Sequence, residues 1–495
     1  MENDTRVDGT LSPLSIGSTV ESMTATTSCD DSENRPVVRR AWASRTPKWQ
    51  RFQPVMIRPT ETTTSVDSKQ KEIFAYQRQY SHVYHHRLMA LRDRCWKALH
   101  SNNKDMYTDV NRILELREDQ PSRIVGTLVK ECADPKEKPF LESHDCRPSD
   151  QLYLEDESGR VVLSFEKDQD SSEIYQFCTG VVVGMEGTVD DKGILYVHRI
   201  VSPAPMPPPT SSNNNHNLAA SPSEPAGHDP HVLLVSSLEC GDPQVSSLPR
   251  EMLVGYLQGQ FTSAAAKVAR IVVAGSGPSA NDALGGLKEF DMFVGLQLAG
   301  SNSLRIPVDI VPSAKDPTTA NWPQRPMHSS LLPLSTRDKK MVMTTPNPYE
   351  AVYGEKVVLG TDGLNVRDLQ QAILKKPNEE DATEETSSPQ PLTELEALEQ
   401  TLRWAHLCPT GPDRLGMVPT EDPMVMDKTT PHLYFCGNCE EGFATKLINN
   451  GDDTEKMTRL VCIPKFSQTG EAVLVNLVSL DVELLRFKVD DHDDK

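Results

Sequence analysis

The run His231-Val232-Leu233-Leu234-Val235 constrains the fold of this chain more than any other stretch. A strand with one wet face alternates apolar and polar residues; a run without a polar break is covered on both faces, as in layered α/β domains. Two further runs of this kind follow, at 270–275 and 306–311, with helical patterns around 252–257 and 284–298 between the strands. Strand–helix–strand alternation predicts a layered α/β domain from residue 229 onward. Immediately before it, residues 203–228 carry Pro203, Pro205, Pro207, Pro208, Pro209 and then Asn213, Asn214 and Asn215, the composition of a linker.

Upstream of that linker the apolar period drops to two. Strands are expected at 124–129, 152–154, 161–165, 181–189 and 194–201, with turns at Glu157-Ser158-Gly159 and Asp190-Asp191-Lys192-Gly193. Five short strands in so few residues suit a small closed barrel of the OB type over 119–202. Acids outnumber bases across it, which favours a structural or protein-binding barrel over one that grips single strands. Residues 70–118 read as a helical segment packed on the barrel, with Tyr76, Tyr80, Tyr84, Leu88 and Leu91 as its buried stripe and Arg87, Arg92 and Arg94 off that stripe. Residues 1–69 read as a disordered tail. Its cluster Arg35, Arg39, Arg40, Arg45, Lys48 and Arg51 fits a solvated basic tail or, second, a nuclear-localisation or anion-binding patch.

In the second domain, residues 377–391 read as a disordered insertion, and Thr393-x-x-Glu396 is a capping box opening a helix with Leu395, Leu398 and Leu402 on one face. A strand at 433–435 runs into Cys436-Gly437-Asn438-Cys439-Glu440, and a hairpin-like pair, 460–466 and 472–479, precedes an acidic tail at 485–495. No second Cys-x-x-Cys occurs, and His82 and His86 lie in the N-terminal helical segment, so Cys436 and Cys439 read as two buried thiols with little or no zinc. No run of about 18 apolar residues is present, so no membrane span is expected. Residues 1–31 are polar and acidic without an apolar stretch, so no secretory signal is expected there. A net charge of −20 disfavours direct binding to DNA or an anionic membrane.

The strand ends are where a two-metal phosphoesterase would place carboxylates and imidazoles. They carry Ser236-Ser237-Leu238-Glu239, Gly275-Ser276, Pro312-Ser313-Ala314-Lys315-Asp316 and Cys436-Gly437-Asn438-Cys439-Glu440. Only Glu239, Asp316 and Glu440 are hard oxygen donors, no imidazole accompanies them, and Lys315 sets a positive charge among them. The order resembles the calcineurin-like phosphoesterase core with its ligands replaced. That family carries Asp-x-His, Gly-Asp, Gly-Asn-His-Asp and Gly-His-x-His at these places. On the resemblance, Ser237 and Glu239 stand for the first Asp and His, and Ser276 stands for the next Asp. Ala314 and Lys315 stand for the Asn-His pair with Asp316 retained, and Asn438 and Glu440 stand for the last two His.

A barrel followed by such a domain resembles the B (small) subunits of replicative DNA polymerases. The delta type is indicated by Arg78-Gln79-Tyr80-Ser81-His82-Val83-Tyr84, Asp316-Pro317-Thr318, Thr345-Pro346-Asn347-Pro348-Tyr349, His406-Leu407-Cys408-Pro409-Thr410 and His432-Leu433-Tyr434-Phe435-Cys436-Gly437-Asn438. The resemblance spans roughly residues 74–480 outside the low-complexity segments. It implies an α+β multidomain chain, with an OB-type barrel and then a calcineurin-like phosphoesterase-type sandwich over 229–484. The implied role is a nuclear, non-catalytic scaffold in replication, with no catalytic residue, cofactor or metal of its own. Such a scaffold holds the C-terminal metal-bearing domain of the catalytic polymerase subunit and docks a third accessory subunit, meeting DNA only through the holoenzyme. The alternatives are a residual metal-dependent phosphodiesterase or 3′–5′ nuclease, a single-strand-binding module acting through the barrel, and the small subunit of the alpha or epsilon polymerase.

Overall fold

The computed structural model describes residues 79–101, 106–131, 150–165, 175–206, 229–262, 265, 267–299, 306–353, 356–375, 390–419, 422–427, 430–449 and 457–488. The expected tail at 1–69 with its arginines, and most of the linker, the insertion and the acidic tail, lie outside these residues.

The first helix, α1, spans Ser81–His100. Thereafter come β1 (Thr108–Asp109), β2 (Ser122–Glu131), β3 (Gln151–Glu155), β4 (Arg160–Phe165), β5 (Val182–Val189) and β6 (Ile194–Val201). They pair in the order β1-β2-β3-β4-β6-β5, and a β2–β5 pairing closes β2 to β6 into a barrel. The β5–β6 turn sits where Asp190 and Gly193 foretell it. The Asp190 carboxylate accepts the backbone N–H groups of Lys192 and Ile194, and Gly193 takes a positive φ of 77°. The segment expected to be helical over 70–118 is, among the described residues, helical at Ser81–His100, while Thr108–Asp109 pairs with Ser122 and Arg123 as a short strand.

The second half builds two mixed sheets. One runs β10-β9-β8-β7-β18-β19, from β7 (His231–Val235), β8 (Val268–Ala274), β9 (Val308–Val311), β10 (Val342–Thr344), β18 (Glu471–Asn476) and β19 (Val482–Arg486). The other runs β11-β12-β15-β17-β16, from β11 (Tyr349–Tyr353), β12 (Lys356–Thr361), β15 (Leu433–Cys439), β16 (Ala444–Asn449) and β17 (Met457–Pro464). Their inner faces share a core that includes Val232, Leu234, Val272, Tyr349, Phe435 and Val461. Helices α2 (Leu248–Leu257) and α3 (Ala283–Met292) lie along the first sheet in sequence, and Leu253, Tyr256 and Phe290 join its outer core. Helices α4 (Leu364–Ala372) and α5 (Glu394–Arg403) contribute Leu369 and Leu398 to the core on the outer face of the second. The capping box of α5 forms as expected, with Thr393 and Glu396 bonding each other's backbone N–H.

Three boundaries differ from expectation. Strands β17 and β18 are not a hairpin, because a short helix, α6 (Phe466–Thr469), and Gly470 at positive φ carry the chain from one sheet to the other. Residues 390 and 391 pair as β14 (Gln390–Pro391) with β13 (Leu374–Lys375), so the insertion ends before them. Strand β19 and the fully buried Phe487 extend the ordered domain past 484, since an aromatic anchor against Phe466 and Tyr256 holds that strand.

Barrel and layered domain share one apolar core, which joins α1, the barrel and the outer face of the second sheet through residues such as Leu91, Val183, Trp404 and Tyr434. At its centre is a residue expected to be off the stripe: Arg87 is fully buried, Arg94 nearly so, while Tyr80 is exposed. The Arg87 guanidinium donates to Asp422 Oδ2 at 2.7 Å, Gly180 O at 2.9 Å, Pro409 O at 3.0 Å and Gly411 O at 2.7 Å. A Cβ on Gly180, whose φ is +95°, would lie 2.4 Å from that guanidinium, so only glycine fits there. His406 Nε2 shares Asp422 Oδ2 at 2.8 Å. Burial, then Arg87, pushes His406 down to about 4 despite Asp422. Burial would raise Asp422, yet Arg87 and His406 hold it well below the usual carboxylate range. Arg94 adds bonds to Ala204 O and Met426 O. Periodicity alone misplaces both arginines because it treats a guanidinium as solvent-seeking, whereas here carbonyls and a carboxylate replace its water.

Removing the cation should leave Asp422 buried and unpaired. Arg87→Met is expected to cost about 3–5 kcal/mol in urea unfolding. Arg87→Met combined with Asp422→Leu should cost clearly less than the two single losses added together; simple additivity would contradict the coupling.

Candidate functional site

Four buried strands, β7, β8, β9 and β15, end at one rim, joined there by β12. The convergence is tight: a Cβ on Gly275 would meet Asn438 Nδ2 at 2.8 Å, Ser313 Cβ at 2.9 Å and Asp362 Cβ at 3.0 Å. Parallel strands end side by side, so this crevice is where an α/β domain presents its functional groups. Ser237, Glu239, Ser276 and Asn438 all adopt positive φ here, between 45° and 54°. Non-glycine residues rarely take that conformation, and such strain gathers at functional rims.

The side chains at the rim bond largely to one another. Ser237 Oγ donates to Asn438 Oδ1 at 2.6 Å, and Asn438 Nδ2 donates to Asp362 O at 2.8 Å. Ser236 Oγ accepts from Asn438 N at 2.9 Å and donates to Pro464 O at 3.0 Å. One oxygen of Asp316, Oδ2, accepts from Ser276 N, Ser313 N and Ser313 Oγ at 2.9, 2.7 and 2.8 Å. Asn347 Nδ2 bridges Gln324 Oε1 and Asp362 Oδ1 at 2.7 and 2.8 Å. Asp316 Oδ1, Asp362 Oδ2 and Asn347 Oδ1 are buried without a hydrogen-bond partner. Burial accordingly raises Asp316 to about 6 and raises Asp362 as well.

Of the eight positions singled out from sequence, Ser237, Ser276, Asp316 and Asn438 come together in this buried network. Glu239 is half-buried, and Ala314 and Lys315 face solvent. Glu440 is exposed and bonds Lys465 at 2.8 Å, a partner that lowers its pKa. Sequence reasoning missed Asp362 and Asn347. Asp362 directly follows β12, so the end of that strand carries the signal that finds it; Asn347 carries no local signal.

Cys436 and Cys439 are buried, as expected, and a third thiol lies beside them. Among the described residues, Cys436, Cys439 and Cys462 are the one group of three His, Cys, Asp or Glu side chains whose ligand atoms lie within 4.8 Å of one another. The third thiol comes from β17, whose Cys462 is the register partner of Cys436. Cys-x-x-Cys spacing cannot reveal a ligand delivered by a neighbouring strand. His82 and His86 belong to α1 and are not in the group.

Residues 79–200 match the family model of the DNA polymerase delta subunit OB-fold domain, and residues 232–445 match that of the DNA polymerase alpha/epsilon B-subunit. Relatives match across both halves. DNA polymerase delta subunit 2 of Drosophila melanogaster is 31% identical over 442 residues, covering 84% of this chain and 94% of the relative. The DNA polymerase delta small subunit of Arabidopsis thaliana is 30% identical over 452 residues, covering 84% and 93%. That of Saccharomyces cerevisiae is 28% identical over 464 residues, covering 84% and 90%. With barrel and layered domain matched in the same order and at nearly full length, the chain belongs to the DNA polymerase delta small-subunit family.

Proposed function

We propose that this accessory subunit of the delta polymerase complex is a scaffold for two partners. It holds the C-terminal metal-bearing domain of the catalytic subunit on its layered domain, and it docks a third subunit across barrel and layered domain. It works in the nucleus and meets DNA only through the assembled complex, in keeping with a net charge of −20. The layered domain is of the calcineurin-like phosphoesterase type. Ser237, Glu239, Ser276, Ala314, Lys315, Asn438 and Glu440 occupy places where that type carries metal ligands, and Asp316 remains.

The observation that carries this reading is the single core fused around Arg87, which lets two domains offer one continuous surface. The rim supports it. The Ser237 hydroxyl bonds the Asn438 amide and the Ser276 hydroxyl pairs with that of Ser313, so they make weak ligands for a hard divalent cation. Lys315 adds a repelling charge beside them.

Capture of the tagged full-length chain from a cell extract, followed by mass spectrometry, should recover a polymerase catalytic subunit as the dominant partner; recovery without one would overturn the scaffold. A second experiment addresses the rim. Between about pH 4 and pH 6 folded Asp316 keeps a proton that the unfolded chain, titrating near 3.9, has released. Its contribution to stability therefore falls as pH rises through that window. Asp316→Asn can keep the three accepted bonds without the buried charge. Its stability relative to wild type should rise by about 1 kcal/mol between pH 5 and pH 8. Manganese should leave wild type and variant unchanged. A manganese-dependent gain in wild-type stability that Asp316→Asn abolishes, with DNA degradation to match, would instead establish a residual nuclease.

A further inference from the structure

We propose that Cys436, Cys439 and Cys462 form a binding site for one soft d10 cation, of the zinc or copper(I) class, on the outer face of the second sheet. The inference stands apart from the scaffold reading and from the strand-end rim.

The geometry of β15 is the first support. Residues three apart on a regular strand point to opposite faces, so Cys436 and Cys439 would ordinarily be separated by the sheet. A register irregularity lies between them, and Asn438 takes a φ of 54°. That bulge restores both sulfurs to one side. Cys462 on β17 is the register partner of Cys436, so its sulfur falls beside them.

The distances are the second. Cys436 Sγ lies 3.5 Å from Cys439 Sγ and 3.7 Å from Cys462 Sγ. Metal–sulfur bonds of about 2.3 Å require sulfurs about 3.8 Å apart in a tetrahedral site. Three sulfurs at this spacing can take one cation with little movement. Soft thiolates select zinc and copper(I) over hard ions.

The surroundings are the third. All three cysteines are at most 3% exposed. Their loop is held from outside: the buried Glu394 at the start of α5 accepts the N–H groups of Glu440 and Glu441 at 2.9 and 3.1 Å. These bonds fix the backbone immediately after Cys439. Each thiol that coordinates gives up its proton to the solvent as the cation binds.

The test uses the full-length chain, purified with a reductant and stripped with a chelator. It is titrated separately with Zn²⁺ and with Cu⁺, and with Cd²⁺ as a spectroscopic reporter. Expected are one equivalent bound, a thiolate-to-cadmium charge-transfer band, and a rise in melting temperature with Zn²⁺ or Cu⁺. Metal analysis of the chain as purified, before stripping, identifies the resident cation. Cys462→Ala should lose the band and the melting shift, whereas Cys240→Ala, a buried thiol outside the group, should keep both. Should Cys462→Ala fail to fold, X-ray absorption on the loaded wild type decides: three sulfur neighbours at about 2.3 Å support the site. A shell of nitrogen and oxygen, binding well below one equivalent, or a band that survives in folded Cys462→Ala overturns it and leaves three thiols packed as small apolar side chains.

Discussion

A single buried guanidinium sets the relation between the two halves of this molecule. Arg87 leaves water entirely, and that transfer is tolerated only because Asp422 and three backbone carbonyls receive its protons. Those acceptors come from the barrel at Gly180 and from the layered domain at Pro409, Gly411 and Asp422. Each half alone would leave part of the set unsatisfied. The pair thus acts as a register device between domains, specifying one relative placement, while the apolar core around it supplies the bulk of the burial. Linkers as long as 203–228 usually permit domain motion; a desolvated ion pair with a shared core opposes it.

A second buried ion pair does comparable work inside the layered domain. Arg270 on β8 bonds Asp309 on β9 at 2.7 Å, and the hydroxyls of Tyr349 and Tyr353, from the opposite sheet, donate to the same carboxylate. Two sheets packed only through Val, Leu and Phe could slide by a residue pair at modest cost. Polar bonds that cross between them penalise such a shift, because each displaced group would be buried unpaired. Both pairs therefore act on uniqueness of the fold more than on its total stability.

Much of this architecture is legible in the chain itself. Period-two runs with Asp/Gly turns locate the barrel strands, and unbroken apolar runs locate β7, β8 and β9, because those signals are local and strong. The strand ends identify Ser237, Ser276, Asp316 and Asn438 as neighbours, since parallel strands bring their ends to one rim. What stays hidden depends on contacts distant in sequence. Arg87 is 335 residues from Asp422, and hydropathy assigns it to water. The supposed hairpin of β17 and β18 fails because Phe466 and Gly470 redirect the chain between sheets. Cys462 joins Cys436 only through sheet register. Asp362 escapes notice because the Gly360-Thr361 end of β12 resembles a turn, although the strand itself is longer than β7 or β9.

The strained rim and the hydrogen-bond network at it belong together. A backbone at positive φ in Ser237, Ser276 and Asn438 costs on the order of 1 kcal/mol or more per residue unless something over-determines it. In a metal site the coordination bonds would do so. In this chain, Ser237 Oγ to Asn438 and Ser276 N to Asp316 do so instead, with Gly275 allowing the close approach. These bonds are internal to the chain, and the buried rim oxygens they leave unpaired are Asp316 Oδ1, Asp362 Oδ2 and Asn347 Oδ1.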